Sequence, residues 1–166
     1  MKRQRKKYQT PSRPWDKERI EYEKQLVKNF GLKNKREIWK ASSLLRKYRS
    51  LARGLIAKQD KNKEKILIEK LSSLGILGKD ANLDNILTLT VEDFLNRRLQ
   101  TVVHKKNLVN TVKQGRQFIV HGHVLIDNRK VTYPSYLVPA EREDKIILKV
   151  NPVKKIMASE ENGEAS

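Results

Sequence analysis

Two closely spaced helix-start signals constrain the fold of this chain more than any other feature of its sequence. The first pairs Thr90 with Asp93, and the second pairs Thr111 with Gln114. In each pair a threonine is followed three residues later by an acid or amide, which is the pattern of a capping box. The two signals predict one helix over residues 90–107 and a second helix after a tight turn.

A short β-hairpin is predicted after the second helix, which should end at Gly122. The runs VLID and RKVTYP flank the pair Asp127-Asn128, whose residue types tolerate the positive φ of a two-residue turn. Pro134 ends the second strand, and residues 145–150, KIILKV, supply a further strand beyond a polar loop. This part of the chain therefore predicts two helices packed on a small antiparallel sheet.

Three more helices are predicted in the front half of the chain. Apolar side chains recur at helical spacing over residues 15–30 and 34–59, and Gly31 supplies a left-handed stop between them. A third helix is predicted over residues 61–74, followed by a loop over residues 78–84. The side chains of this third helix that are predicted to face inward are Ile66, Leu67, Leu71 and Leu74. Together the three helices predict a small bundle.

The net charge indicates which partner the chain needs. Among 166 residues, 37 are basic and 19 are acidic, so the formal charge is +18. Residues 1–50 alone carry a net charge of +12. Such self-repulsion destabilises a compact protein unless a polyanion neutralises it, and nucleic acid is the first candidate.

Charge and patterning divide the chain into four parts. Residues 1–14 form a basic extended arm, residues 15–90 a helical domain, residues 91–150 a compact module, and residues 151–166 a flexible tail. The predicted fold class is α+β. An N-terminal basic arm and helical bundle precede a helix-turn-helix and a β-hairpin with a small antiparallel sheet.

Several classes of site and protein are excluded or disfavoured by the sequence. The chain has no cysteine, hence no disulfide, thiolate nucleophile or cysteine-rich zinc site, and it has no stretch of the roughly 18 apolar residues that a membrane span needs. His104, His121 and His123 could in principle form a zinc site, but such histidines more often contact phosphate or pack, so no metal and no cofactor are predicted. No catalytic arrangement is evident, which predicts that the chain is not an enzyme.

The module over residues 91–150 contains the motifs RRLQTVV, TVKQGRQFIVHG and HVLIDNRKVTYPSY. Through these motifs it resembles the S-four RNA-binding domain family. It implies that Arg98, the pair Arg116-Gln117 and the region of His121 to His123 face or shape an RNA surface. The chain departs from the usual residues of the family at three places. Gln100 stands where the family has aspartate, Gly115 where it has a small residue such as alanine, and the pair Asp127-Asn128 where it has Asn-Gly.

Three further motifs extend over the wider chain: KYQTPSRPW, GLKNKREIWKASSLLRKYR and LTVEDFLNRRLQT. With them the chain resembles the family of small-subunit ribosomal protein four in its archaeal form. It implies a structural constituent of the small ribosomal subunit in the cytoplasm. Such a protein binds small-subunit ribosomal RNA at a multi-helix junction early in assembly, with a surface near the path by which messenger RNA enters. Neighbouring small-subunit proteins and that messenger RNA are the other implied partners, whereas no membrane and no homo-oligomer is expected.

The residues expected to contact RNA are basic or polar, and they fall in the arm, the second helix and the C-terminal module. They are Lys2, Arg3, Arg5, Lys6, Lys7, Arg13, Lys40, Arg46, Lys47, Arg49, Arg53, Arg97, Arg98, Lys105, Lys106, Lys113, Arg116, Gln117, His121, His123 and Arg129. Arg98 and Arg116 are both expected to be exposed, so their replacement by alanine should weaken RNA binding and leave thermal stability nearly unchanged.

Two other functions stay open at this point. The chain could be a free RNA-binding stress or chaperone factor, or a fragment of an RNA-modifying enzyme that carries an S-four domain. The aromatic residues leave a similar choice. Trp39 and Tyr48 are expected to pack in the core, whereas Tyr8 and Trp15 could stack on bases or staple the arm to the bundle.

Overall fold

The computed structural model of the chain describes residues 6–78 and 81–149. The fold is α+β, as predicted, with helices grouped before a small antiparallel sheet. The helices are α1 (Lys17–Asn29), α2 (Lys35–Lys58), α3 (Lys61–Ser73), α4 (Leu83–Thr88), α5 (Val91–Asn96), α6 (Leu99–Lys105) and α7 (Val112–Val120). The strands are β1 (Val124–Ile126), β2 (Arg129–Lys130) and β3 (Ile146–Leu148). The predicted tail and the predicted RNA contacts Lys2, Arg3 and Arg5 lie outside the described residues.

Helix α2 organises the front of the molecule. Its buried side chains Leu45, Tyr48 and Ala52 recur three or four residues apart, and Ile38 lies seven residues before Leu45, so the four form one apolar stripe along the helix. Tyr48 stacks on Phe94 of α5 with ring centroids 5.8 Å apart, as expected for a core aromatic residue. Helices α3, α4 and α5 form a common core with the last three of these side chains, whereas Ile38 packs in a second core with Leu26 of α1.

Two predictions in this region were wrong. Ile66 was predicted to face inward, but it is 64% exposed, and Ile68 packs against the core instead. The loop predicted over residues 78–84 ends early, because α4 begins at Leu83. This helix forms because Leu83 and Ile86 both reach the core of the bundle, a driving force that a six-residue segment does not reveal by periodicity.

The prediction of a single helix over residues 90–107 is also wrong, because the helix is interrupted at Arg97 and Arg98. The break is stabilised by a tertiary contact with a later segment. The N–H of Leu99 donates to the carbonyl of Tyr136 at 2.7 Å, and the N–H of Val138 donates to the carbonyl of Arg97 at 2.9 Å. The two halves, α5 and α6, therefore point their apolar sides into different cores.

The β-hairpin is confirmed at its predicted position, but its second strand, predicted to end at Pro134, is shorter: β2 ends at Lys130, because only Arg129 and Lys130 pair with β1. Strand β1 pairs antiparallel with both β2 and β3, and the strand order is β2-β1-β3. Asp127 and Asn128 have φ values of 50° and 62°, the left-handed pair that a type I′ turn requires. One face of the sheet is buried through Val124, Ile126 and Ile146, and it packs on α6 and α7.

Two lobes result from this packing. We call residues 17–96 the helical lobe and residues 97–149 the sheet lobe. Phe94 and Leu95 of α5 pack into cores of the helical lobe, whereas Leu99 of α6 packs into the core of the sheet lobe. The four-part division of the chain drawn from its sequence stays a prediction.

The start of α7 offers a test of local stabilisation. The Thr111 hydroxyl accepts a hydrogen bond from the N–H of Gln114 at 3.2 Å, as the capping pattern predicted. Replacing Thr111 with alanine should lower the free energy of unfolding by about 1 kcal/mol, the usual loss of an N-cap. Urea unfolding measures this, with Thr132→Ala as the control, because Thr132 is exposed and lies outside any helix. Equal effects of the two changes would contradict the capping role.

Candidate nucleic-acid interface

The N-terminal arm is fixed to α2 through Tyr8 and Gln9. The ring of Tyr8 lies 6.0 Å from the ring of Trp39, measured between centroids. The N–H of Gln9 donates to the Ser43 hydroxyl at 3.1 Å, and the Arg46 guanidinium donates to the Gln9 side chain. Tyr8 therefore staples the arm to the bundle, which was one of the two roles proposed for it.

A basic groove of about 320 Å³ lies between the arm and α2. Four cationic side chains line it, and none of the described residues that line it is acidic. The four cations are Lys6, Lys7, Arg46 and Lys47. All four are predicted RNA contacts, and the structure brings them together from two distant parts of the sequence. We refer to this feature as the arm groove.

The rest of α2 continues the positive charge beyond the arm groove. The helix carries eight basic residues and one acidic residue over 24 positions. Lys40 and Arg53 are exposed, as RNA contact requires. Arg49 is half-buried and donates to the carbonyl of Leu89, so it holds the start of α5 rather than facing outward.

A second basic surface lies on the sheet lobe. Lys113, Gln117 and His121 are exposed at intervals of four residues, so they lie along one side of α7 and its end. The ring of His123 stacks on that of His121 with centroids 6.2 Å apart. The remaining exposed basic residues predicted to contact RNA in this lobe are Lys105 and Arg129.

Two other predicted contacts are engaged within the protein. Arg97 forms an ion pair with Glu143 at 2.6 Å and donates to the carbonyl of Val138 at 2.8 Å. Lys106 forms an ion pair with Asp144 at 3.0 Å. Arg97 therefore ties the break between α5 and α6 to the loop before β3, and Lys106 ties the end of α6 to the same loop.

Arg98 and Arg116 converge on a single carboxylate between the lobes. The Arg98 guanidinium donates to Glu37 of α2, and Arg116 Nη2 donates to the other Glu37 oxygen at 2.9 Å. The expectation that Arg98 is exposed was wrong, because its residue exposure is only 6%. The physical reason is the helix break, which places Arg98 where the sheet lobe meets α2. Arg116 is partly exposed but shares the same acid.

Gln100 completes this cluster, and it lies where the related family usually has aspartate. Its Nε2 donates to the carbonyls of Gly31 at 3.0 Å and Val112 at 3.1 Å, while its Oε1 accepts from Arg116 at 3.3 Å. Neither Gln100 nor Glu37 was predicted as a functional residue. The only available signal for Glu37 was that it is the single acid in an otherwise basic helix.

Two opposing effects determine the pKa values of Glu37 and Arg98: burial disfavours their charged forms, and ion pairing favours them. Burial alone would raise the pKa of Glu37, but hydrogen bonds and charge from Arg116 and Arg98 outweigh it and hold that pKa below its ordinary value. Burial lowers the pKa of Arg98, and the nearby Glu37 charge only partly opposes this. The guanidinium stays protonated at neutral pH, so the cluster is a partly buried ionic network.

This network predicts an acid-sensitive contribution to stability. Because the pKa of Glu37 is lower in the folded chain, its carboxylate stabilises the fold above the ordinary value of about 4.5. That contribution is lost as the pH falls through the folded value. Urea unfolding of wild type and Glu37→Gln should therefore differ more at pH 7 than at pH 3. A difference that does not change with pH would contradict the assignment.

Trp15 is 91% exposed, so it is available for stacking and does not staple the arm. Within residues 6–78 and 81–149 there is no cluster of three or more metal-binding side chains, and no helix there is long and apolar enough to cross a membrane.

Comparison with known proteins identifies the family. The family model described as S4 domain matches residues 97–144. Small ribosomal subunit protein uS4 of Picrophilus torridus is 51% identical over 149 residues, covering 86% of this chain and 81% of that protein. The protein of the same name from Nanoarchaeum equitans is 47% identical, with 100% and 99% covered, and that from Methanothermobacter thermautotrophicus is 47% identical, with 96% of each covered. The chain therefore belongs to the family of small ribosomal subunit protein uS4, as the resemblance of its motifs predicted.

Proposed function

We propose that the chain is a structural constituent of the small ribosomal subunit in the cytoplasm, where it binds small-subunit ribosomal RNA. Its family is structural rather than enzymatic, and the chain is not an enzyme, as its sequence predicted. The observation that carries the proposal is the arm groove, where four cationic side chains meet without an acid among the described lining residues. Such a groove suits the closely spaced phosphates of folded RNA.

The proposed contact surface extends over both lobes. In the helical lobe it consists of the arm groove with Lys40 and Arg53, and in the sheet lobe of the exposed side of α7 with Lys105, His123 and Arg129. These groups neutralise phosphates, and the relative position of the lobes selects the shape of the RNA. Arg13, which is exposed near the end of the arm, is a further proposed contact. This surface needs no base-specific readout, since shape and phosphate spacing suffice.

Finer aspects of the proposal rest on the resemblance to the family. Binding at a multi-helix junction requires a protein that touches several RNA helices at once, and two basic surfaces on separate lobes suit this requirement. We further propose early assembly, contact with neighbouring small-subunit proteins, and a surface near the path by which messenger RNA enters. Crosslinking within purified small subunits identifies each of these neighbours directly.

Cosedimentation with small subunits in high salt tests the proposed function. A ribosomal constituent should stay with the subunits in roughly stoichiometric amount, because many phosphate contacts over a wide surface release slowly. Release of the chain into the free pool would instead support the alternative of a stress or chaperone factor. Modified nucleosides formed in purified RNA, and abolished by changing one acid of the chain, would support the enzyme alternative.

A further inference from the structure

The cluster between the lobes contains the two arginines that the family resemblance assigns to RNA. Both donate to Glu37, which comes from α2, whereas Arg98 precedes α6 and Arg116 lies within α7. The carboxylate thus joins three elements drawn from both lobes. Its oxygen atoms accept from the two guanidinium groups, and one of them also accepts from the N–H of Lys33 at 3.3 Å.

The geometry leaves Arg98 little access to a phosphate. Its side chain is 7% exposed, and that of Glu37 is 14% exposed. An RNA phosphate would have to displace the carboxylate and separate the lobes to reach it. Arg116 is more open, at 26%, but two of its donors already bind Glu37, and one of these also binds Gln100.

Gln100 gives the same junction a second, uncharged set of contacts. Its side-chain amide donates to backbone carbonyls of both lobes, Gly31 in the helical lobe and Val112 in the sheet lobe. Gly31 has a φ of +55°, and a Cβ there would lie 3.2 Å from Gln100 Nε2. The turn after α1 is therefore shaped to receive this side chain, and the lobes meet at a specific contact.

We propose that Glu37 is a positioning residue for RNA binding, which clamps Arg98 and Arg116 and so fixes the angle between the two basic surfaces. The inference rests on the proposed function. In this account the two arginines act on RNA through the lobe angle and not by contacting phosphates. Glu37, although negatively charged, thereby increases the affinity of the protein for RNA.

Glu37→Gln tests the proposal by whether it strengthens or weakens RNA binding. Removing a negative charge should strengthen binding to small-subunit ribosomal RNA if electrostatics alone mattered. The clamp predicts the opposite, roughly tenfold weaker binding, because the lobes lose their fixed angle. The salt slope should stay unchanged, since no phosphate contact is removed. Tighter binding with a steeper salt slope would show that the freed arginines contact phosphates, and it would overturn the proposal.

A matched variant controls for charge. Glu21 of α1 is exposed and makes no ion pair among the described residues, so Glu21→Gln removes the same charge away from the clamp. It should leave affinity unchanged or slightly increased. If Glu37→Gln does not fold, Arg116→Gln replaces it. The clamp then predicts weaker binding at an unchanged salt slope, whereas direct contact predicts a slope smaller by about 0.7.

A distance measurement on the free protein separates this inference from the proposed function. The chain has no cysteine, so cysteines introduced at the exposed positions Gln25 and Glu141 would be the only sites for spin labels. Glu37→Gln should broaden the distance distribution between the labels, while Glu21→Gln should not. A distribution unchanged by Glu37→Gln would overturn the clamp, even if wild type binds ribosomal RNA. Failure of wild type to bind ribosomal RNA would instead reject the proposed function.

Discussion

Replacing Arg98 with alanine is expected to lower the free energy of unfolding by about 3 kcal/mol, at the lower end of the range for breaking a buried ion pair. The substitution removes a side chain that is 7% exposed and leaves Glu37 with Arg116 as its only arginine partner. Urea unfolding at pH 7 measures the loss.

Arg129→Ala is the matched control for this measurement. Arg129 lies in the same lobe, is exposed, and makes no ion pair in the described part of the chain. Its replacement should change stability by less than about 0.5 kcal/mol, as at most surface positions. If Arg98→Ala were as harmless as Arg129→Ala, Arg98 would be the exposed RNA contact that the sequence alone predicted.

Among the substitutions proposed to weaken RNA binding, the removal of three lysines from the arm groove is expected to have the largest effect. Lys6, Lys7 and Lys47 are exposed, and changing all three to glutamine leaves Arg46 to hold Gln9 and the arm. If each lysine neutralises one phosphate, the slope of log affinity against log salt should fall by about 2 to 3. Affinity for small-subunit ribosomal RNA should fall by roughly a hundredfold near 100 mM salt.

The control removes the same charge from a helix that is not part of the proposed surface. Lys61, Lys65 and Lys70 are exposed on α3, and their replacement by glutamine changes the net charge equally. Binding should weaken less, because only the long-range field of the protein changes. Equal losses from the two triple variants would show that net charge alone, and not the arm groove, accounts for affinity.

Local signals in the sequence predicted the local structure well. The turn at Asp127-Asn128 and the cap at Thr111 are determined by residues within a few positions of one another, and both are present in the structure. The helices of the bundle follow for the same reason, since apolar spacing in α2 is set by the helix itself.

The broken helix shows why a continuous pattern misled the prediction. Apolar residues continue at helical spacing from Phe94 through Leu99 and Val103, so nothing in the pattern marks a stop. Phe94 belongs to the core of the helical lobe, however, while Leu99 and Val103 belong to that of the sheet lobe. Two stripes that face different cores look like one stripe in sequence, and only the tertiary contacts of Arg97 and Leu99 separate them.

The candidate site was predictable in composition but not in arrangement. Basic residues in the arm and α2 predicted a polyanion-binding surface, yet the arm groove depends on the contact between Gln9 and Ser43, far apart in sequence. Arg98 was misjudged for the same reason, since its partner Glu37 lies 61 positions away. A charged residue with no oppositely charged neighbour in the sequence can still form an ion pair in the fold, and no local pattern distinguishes such a residue from an exposed one.

The dependence of RNA affinity on salt tests the central claim most directly. With about 8 phosphates neutralised over the two lobes, the affinity of the full chain for small-subunit ribosomal RNA should fall by roughly three to five decades between 50 and 200 mM salt, by analogy with duplex DNA. Filter binding across that range measures the slope. A steep slope is the result that an RNA-binding surface built from phosphate contacts predicts, and a flat response would contradict it.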